Sequence, residues 1–297
     1  MPDNPQTPEP RDFRLDGHAV LALSGPDATA FAQAQFMNDV AALDVLDWQW
    51  NGWLTPKGRV VALFALLRRD DQTLWAVMPD ADPATVCSAL SRFLFRSKVR
   101  IDVLEDVAAV GRFAAPASAT AGRASTADGE VVELDMGGDG GARTLRLGPA
   151  DCGEPHAASN RRWVEQDLRH GLPRLPPSQA GHWTPQQLSL QRLRAFSVKK
   201  GCYPGQEIVA RTHFLGKVKR GLALLEADAP VEVGADVRSG ATPLGTVVSS
   251  CAMPPAGAVA LAVLPLERPA TGLDAGGTPV REGDLLDGLA RRHDRSS

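Results

Sequence analysis

Several features that would assign a chemistry at once are missing from this sequence. The four cysteines form no C-x-x-C pair, so a disulfide framework, a self-contained zinc site and a four-cysteine iron–sulfur site are not expected. No apolar run approaches the ~20 residues that span a bilayer, and the polar, proline-rich residues 1–14 hold no secretory signal. Positive charge is not in excess, because 32 Lys and Arg stand against 35 Asp and Glu. We therefore expect a cytoplasmic protein without bulk nucleic-acid binding.

The order of apolar segments predicts an α+β protein that ends in an all-β module. A chain of 297 residues exceeds the usual size of a single core, so two or three modules are expected. Up to residue 220 the pattern mixes helices and strands, and beyond it short apolar strands alternate with Gly and Pro turns. The predicted divisions are a disordered arm (1–12), an α+β body (13–220) with an internal boundary near 105–115, a β-barrel (221–290) and a frayed tail (291–297).

Local signals predict particular elements within the body. Residues 18–23 form a buried strand, after which Asp27 caps a helix that reaches Phe36. A turn at residues 56–58 joins two apolar strands. The glycine run at residues 137–141 is expected to be the loose tip of a hairpin, and a further helix is expected over residues 184–195.

The most unusual stretch is residues 199–207, Lys-Lys-Gly-Cys-Tyr-Pro-Gly-Gln-Glu. Its cysteine, Cys202, stands between cationic residues and a tight Pro-Gly turn, and positive charge stabilises a thiolate. From residue 199 to 220 the chain has six basic residues and one acidic residue, a net charge of +5. Such a patch recruits an anionic ligand or partner. On composition alone, a merely structural cysteine and a solvated charged face remain the alternative.

This stretch resembles the signature Lys-Gly-Cys-Tyr-x-Gly-Gln-Glu of the YgfZ family of folate-binding proteins, which are relatives of the glycine-cleavage aminomethyltransferase. Further blocks that fit the family are residues 23–28, 33–40, 54–59, 95–99, 171–173 and 185–186. The resemblance runs from about residue 15 to the C-terminus and is weakest over 111–155. It implies a three-module aminomethyltransferase-like cloverleaf around a central channel, closed by a C-terminal β-barrel.

The resemblance also implies a function. Tetrahydrofolate or a one-carbon derivative would bind in the channel, and the protein would support assembly or repair of iron–sulfur enzymes, including one that methylthiolates tRNA. Iron–sulfur assembly factors or client enzymes are the implied partners. Apolar residues occupy the acid positions of true aminomethyltransferases within residues 57–63, so classical aminomethyl transfer is not expected.

Site residues follow from the match to the signature. Cys202 is the functional thiol, as a transient cluster ligand, as a ligand shared with a partner, or as a nucleophile, because a single thiol holds no stable cluster. Lys200 stabilises the thiolate or binds the folate tail, and Glu207 completes the group of catalytic candidates. Trp163 matches one of two tryptophans that the family associates with folate, whereas His18 stands at the place of the other. The residues implied in folate binding are Trp163, His18, Gln206, Arg211 and Tyr203.

Two other functions stay open at this stage. A folate-dependent one-carbon transferase or oxidase would use Glu207 or Asp39 as its acid. A docking scaffold would use the Cys202 loop to bind an acidic partner. Direct contact with tRNA has weaker support, because the basic segment has no aromatic residues beyond Tyr203 and Phe214 to interleave with its charges.

Overall fold

The computed structural model describes residues 12–127, 131–214, 216, 218–269 and 271–291. The predicted disordered arm lies almost wholly outside the described residues, as do Lys217 of the basic segment and the tail beyond residue 291. Within the described parts, three sheets and four α-helices are arranged along the chain. The helices are α1 (Ala28–Gln35), α2 (Pro83–Ser91), α3 (Ala157–Arg169) and α4 (Gln206–Phe214).

The first sheet separates two hydrophobic cores. Its strands are β2 (His18–Ser24), β3 (Trp48–Leu54), β4 (Val60–Asp70), β5 (Thr73–Pro79) and β6 (Arg100–Val103), in the order β3-β4-β5-β2-β6. Successive side chains of a strand point to opposite faces, so Phe64 and Leu66 of β4 pack beside α1 and α2, while Leu63 and Leu67 face the core shared with the rest of the molecule. The near-continuous apolar run of β4 is thus buried on both sides.

The second sheet carries α3 against its apolar face. It consists of β1 (Phe13–Arg14), β7 (Val107–Arg112), β8 (Ser125–Ala127), β9 (Val131–Asp135), β10 (Thr144–Pro149) and β11 (Glu154–Pro155), in the order β11-β1-β7-β10-β9-β8. Trp163 of α3 joins Leu134, Leu145 and Leu147 of this sheet in the shared core.

The C-terminal module is a closed six-stranded barrel, which confirms the predicted fold class. Its strands are β12 (Arg220–Ala227), β13 (Asp236–Ser239), β14 (Thr242–Met253), β15 (Gly257–Pro265), β16 (Leu273–Ala275) and β17 (Thr278–Gly283), in the order β12-β15-β14-β13-β16-β17. Alternation along β12 places Ala223 and Leu225 in the barrel core, and Leu222 and Leu224 in the core shared with the body. The barrel is therefore packed onto the body by one face of β12 together with residues of β14 and β15, among them Val248 and Leu261.

Three local predictions are wrong. Residues 184–195 form a succession of turns instead of a helix, because Ser189 and Arg194 adopt left-handed backbone conformations with φ of 49° and 54°. The side chain of Asp27 does not cap α1; its carboxylate accepts the backbone N–H of Lys98 at 2.8 Å. The glycine run is not loose, since a Cβ at Gly140 would lie 2.1 Å from the Gln166 side chain.

Candidate functional site

The signature loop is attached to the body by a buried lysine. The Lys200 ammonium donates to the backbone carbonyls of Gln33 and Phe36 at 2.5 Å each, and to that of Asn38 at 3.0 Å. These carbonyls lie at and just beyond the C-terminal end of α1, where a helix leaves acceptors unsatisfied and favours a cation. Burial lowers the pKa of Lys200 to about 8. All three ammonium donors are thus engaged in holding the loop on α1.

Internal contacts fix the conformation of the loop itself. The Tyr203 ring lies 4.9 Å from the Lys200 ammonium, and the Tyr203 hydroxyl donates to the Ser197 carbonyl at 3.2 Å. Burial raises the pKa of Tyr203 to about 12. The Gln206 amide donates to the Lys200 carbonyl at 3.3 Å. Tyr203 and Gln206 therefore shape the loop, and Cys202 is left exposed on it.

Two glycine turns meet backbone to backbone beside this loop. Gly205, with φ of 80°, follows Pro204, and a Cβ there would lie 2.6 Å from the Gly58 Cα. Gly58, with φ of 68°, belongs to the turn between β3 and β4, and a Cβ there would lie 2.9 Å from the Ile208 Cβ. Only glycine permits both the left-handed backbone and the close approach. The contact fixes the start of α4, which follows the Gly205 turn directly.

A cavity of about 800 Å³ opens next to the loop. Its size lies in the usual range for small-molecule sites. The lining residues that carry charge are Asp39, Arg194, Lys199 and Arg291, and the lining also includes His213 and the apolar Phe196 and Leu43. Three cations against one carboxylate favour an anionic ligand.

The polar wall of the cavity is held by hydrogen bonds across the chain. The Asn38 amide donates to the Arg194 carbonyl at 2.7 Å and to the Trp50 carbonyl at 2.9 Å, which fixes the left-handed Arg194. The Asp39 carboxylate accepts from the Gln33 amide at 2.9 Å. A non-glycine residue kept in a sparsely populated conformation at a cavity wall is a feature of functional sites.

The remaining signature residues lie on α4. Glu207 and Arg211 are exposed, whereas Val209 is fully buried and its carbonyl accepts from the Gln186 amide at 2.9 Å. Neither Glu207 nor Arg211 lines the cavity. The structure therefore brings Lys200, Tyr203 and Gln206 together and leaves Glu207 and Arg211 on the outer face of the helix.

Trp163 and His18, which match the two positions that the family associates with folate, lie elsewhere, around a buried network of charges. Trp163 is 1% exposed, and its ring contacts Phe13, Phe113 and the guanidinium of Arg143, which lies 4.7 Å from the ring centroid. Among the described residues, no acceptor meets the Trp163 indole N–H. Trp163 does not line the cavity, and the folate contact predicted for it stays a prediction.

Asp167 connects the parts of that network. Its carboxylate accepts from Arg143 at 2.8 Å and from Arg174 at 3.4 Å, and Arg174 also forms a two-pronged ion pair with Asp80. His18 stands beside these charges. Desolvation and the nearby Arg174 lower its pKa to about 4, so its ring is neutral at physiological pH. The charges of Arg174, Asp167 and Arg143 thus connect the surroundings of His18 with those of Trp163.

Sequence reasoning missed a segment that follows the barrel. Arg291 lies against the Trp48 ring, 5.4 Å from its centroid, and donates to the carbonyls of Asp135 and Gly137 at 2.8 Å. The Trp50 indole N–H donates to the Leu289 carbonyl at 2.9 Å. The end of the described chain therefore returns to the first sheet, and Arg291, the first residue of the tail predicted to be frayed, is buried there and belongs to the cavity wall.

Two features that would indicate other functions are absent from the described residues. No group of three or more His, Cys, Asp or Glu side chains is placed to hold a metal ion in the described ranges. None of the helices in those ranges has the length and apolar character required to cross a membrane.

The sheets, the closing barrel and the cavity define a protein of the aminomethyltransferase fold class. The structure matches that of aminomethyltransferase T of the glycine cleavage system from Bartonella henselae with a TM-score of 0.69. The match covers 94% of this chain and 85% of that one, at 15% sequence identity. It shows a common fold.

Within this class, the chain is similar to curated proteins called tRNA-modifying protein YgfZ. It is 26% identical over 243 residues to the protein from Colwellia psychrerythraea (76% of this chain, 75% of that protein), and 29% identical over 233 residues to the one from Klebsiella pneumoniae (72% and 71%). An uncharacterized protein of Haemophilus influenzae is 27% identical over 227 residues (75% and 76%). No protein-family model matches the chain. The resemblance to YgfZ proteins inferred from the sequence is confirmed.

Proposed function

We propose that this protein binds a reduced folate in the cavity beside the signature loop and acts as an accessory protein in tRNA modification. In this role it supports the assembly or repair of iron–sulfur enzymes, including a tRNA-methylthiolating enzyme, with Cys202 as its functional thiol. The fold class and the YgfZ relatives support a folate-related accessory role. The role implies action in the cytoplasm.

The chemistry of the cavity wall carries the proposal. A folate has a flat pterin, an aminobenzoyl linker and an anionic glutamate tail. The exposed cations Lys199 and Arg194 suit the carboxylates of the tail, and the buried Arg291 adds positive charge behind the wall, while Asp39 and Gln49 offer oxygen acceptors for pterin N–H groups. Phe196 supplies an apolar surface on the same wall. The residues present therefore fit a reduced folate, which would carry one-carbon units when bound.

The place of Cys202 supports a role with a partner. The four cysteines differ in access: Cys202 is exposed, Cys87 and Cys152 are partly covered, and Cys251 is buried. An exposed thiol on a rigid loop can join ligands from a second protein, and a lone thiol cannot hold a cluster by itself. We therefore assign Cys202 the role of a shared or transient ligand of an iron–sulfur cluster.

Folate titration tests the proposal. Calorimetry with tetrahydrofolate and its 5-formyl and methylene forms, under reducing conditions, should show saturable binding that Lys199→Ala and Arg194→Ala weaken. Arg238→Ala, an exposed cation of the barrel, is the matched control and should bind as the wild type does. Trp163→Ala, checked for folding, tests the separate contact predicted for that residue. Absence of binding to all three forms would contradict the proposal.

One observation favours a second function. Asp39 lines the cavity and Glu207 does not, so a folate-dependent one-carbon transferase would use Asp39 as its acid in preference to the exposed Glu207. Turnover of methylenetetrahydrofolate that is lost in Asp39→Asn, with folate binding retained, would establish this alternative. Binding without turnover leaves the accessory role.

A further inference from the structure

Residues 92–100, from the end of α2 to the first residue of β6, form an aromatic–basic loop that does not line the cavity. The segment reads Arg-Phe-Leu-Phe-Arg-Ser-Lys-Val-Arg, with four cations and no carboxylate. Phe95 is 92% exposed and Phe93 is 47% exposed. An apolar ring left almost wholly in water, amid charge of one sign, calls for a ligand that offers both a flat surface and negative charge.

The ring is held outward by an ordered turn. Phe95 has φ of 40°, a left-handed conformation that residues with a Cβ rarely adopt. The backbone around it is fixed, because the Ser97 N–H donates to the Leu94 carbonyl at 2.7 Å and the Lys98 N–H donates to Asp27 at 2.8 Å. A Cβ on Gly25 would lie 2.2 Å from the Lys98 carbonyl oxygen, so the loop is packed tightly on its neighbour. The exposure of Phe95 is built into the fold.

Cations surround the exposed ring. The Arg96 guanidinium lies 5.6 Å from the Phe95 ring centroid, and Arg92 and Lys98 are also exposed. Arg100 is paired with Asp102 at 2.6 Å. Single-stranded nucleic acids bind to this combination, because a base stacks on the aromatic ring while the flanking phosphates meet the cations.

We propose that the aromatic–basic loop binds single-stranded RNA, with an unpaired base stacked on Phe95 and phosphates on Arg92, Arg96 and Lys98. The inference rests on the proposed role in tRNA modification and adds a direct RNA contact to it. An acidic protein surface would match the cations but would leave the Phe95 ring without a flat partner. Two intervening residues connect this loop to the signature loop: Phe93 packs edge-on against Trp53, and Trp53 pairs with Phe36, the carbonyl of which accepts from Lys200.

Fluorescence anisotropy with a fluorescein-labelled oligouridine tests the proposal. Phe95→Ala should weaken binding about five- to a hundredfold, the usual effect of losing one base stack. In the Arg96→Ala/Lys98→Ala variant, the negative slope of log K against log salt concentration should become shallower by about 0.7 for each cation removed. Phe214→Ala, which truncates a ring that is 66% exposed, and Arg238→Ala, which removes an exposed barrel cation, should keep the wild-type affinity.

Three results would overturn the proposal: no binding of the wild type to the oligouridine, equal binding by Phe95→Ala, or equal binding by a labelled RNA duplex. Binding of polyglutamate with the same dependence on Phe95 would assign the loop to an acidic protein instead. Circular dichroism of each variant establishes that it is folded. Titration with tetrahydrofolate separates the two proposals. If Phe95→Ala loses RNA binding and still binds folate, both proposals are supported. If the wild type binds RNA and no folate, the folate proposal alone is overturned.

Discussion

Asp167 offers a sharp test of the architecture around Trp163. Its side chain and that of Arg143 are each only 2% exposed, and Arg174 is also buried. Replacing Asp167 with Asn removes the charge and preserves the shape. The Arg143 guanidinium then loses the neutralising carboxylate and keeps neutral partners, namely the amide oxygen of the substituted side chain, the Trp163 carbonyl at 3.2 Å and the Trp163 ring, whereas Arg174 keeps Asp80.

The expected cost follows from the unpaired cation. Breaking a buried pair by removing one partner costs about 3 to 5 kcal/mol, because a charge is left in a medium that solvates it poorly. Most of this cost belongs to Arg143, since Arg174 retains a carboxylate. We therefore expect Asp167→Asn to lower the free energy of unfolding by about 3 kcal/mol. Urea unfolding followed by tryptophan fluorescence and by circular dichroism measures it.

A matched control and a rescue variant make the reasoning refutable. Asp228→Asn breaks an exposed pair with Arg281 and should leave the urea midpoint unchanged. Arg143→Met combined with Asp167→Leu removes both buried charges and should recover most of the lost stability, because an apolar pair of similar volume avoids the desolvation cost. An Asp167→Asn variant as stable as Asp228→Asn would refute the argument that Arg143 depends on Asp167.

Three further predictions concern the loop and its surroundings. Lys200→Met should cost about 2 to 4 kcal/mol in urea unfolding, because three carbonyls lose their donor, whereas the exposed Lys199→Met should cost nothing measurable. Gly205→Ala should lower stability by about 3 kcal/mol, and Gly240→Ala, which is left-handed but open, by only about 1 kcal/mol. The pKa of His18 in the fold, about 4, lies below its ordinary 6.5, so stability is full above pH 6.5 and falls toward pH 4; His18→Gln should flatten that pH slope.

Strands and helix caps could be predicted where the pattern of neighbouring residues agrees with the burial in the fold. The apolar runs of β3 and β4 and the short apolar strands of the barrel are predicted from the sequence, and their side chains lie in the hydrophobic cores. The Asp82 cap of α2 was also predictable, since its carboxylate accepts the Thr85 N–H at 3.0 Å, one turn away. Such signals need only neighbouring residues.

Long-range contacts could not be predicted in the same way. The apolar pattern of residues 184–195 suits a helix, yet Asn38 holds Arg194 in a left-handed conformation across 156 residues. The Lys200 signature predicts a charge near a thiol, but the acceptors of its ammonium lie 162 to 167 residues away at the end of α1. The signature therefore identifies Lys200 as a functional candidate, whereas the partners of its ammonium are determined by the fold.

The C-terminal end of α1 links the two proposed binding functions. Lys200 holds the loop that carries Cys202 by binding the Phe36 carbonyl, and Phe36 pairs through Trp53 with Phe93 of the aromatic–basic loop. Asn38, two residues further on, fixes the Arg194 wall of the cavity. We therefore expect a change at this helix end to affect the Cys202 loop, the cavity and the aromatic–basic loop together. Lys200→Met should accordingly weaken folate and RNA binding in the same variant, whereas Phe95→Ala should affect RNA alone; independent responses to Lys200→Met would show that the two sites are not mechanically connected.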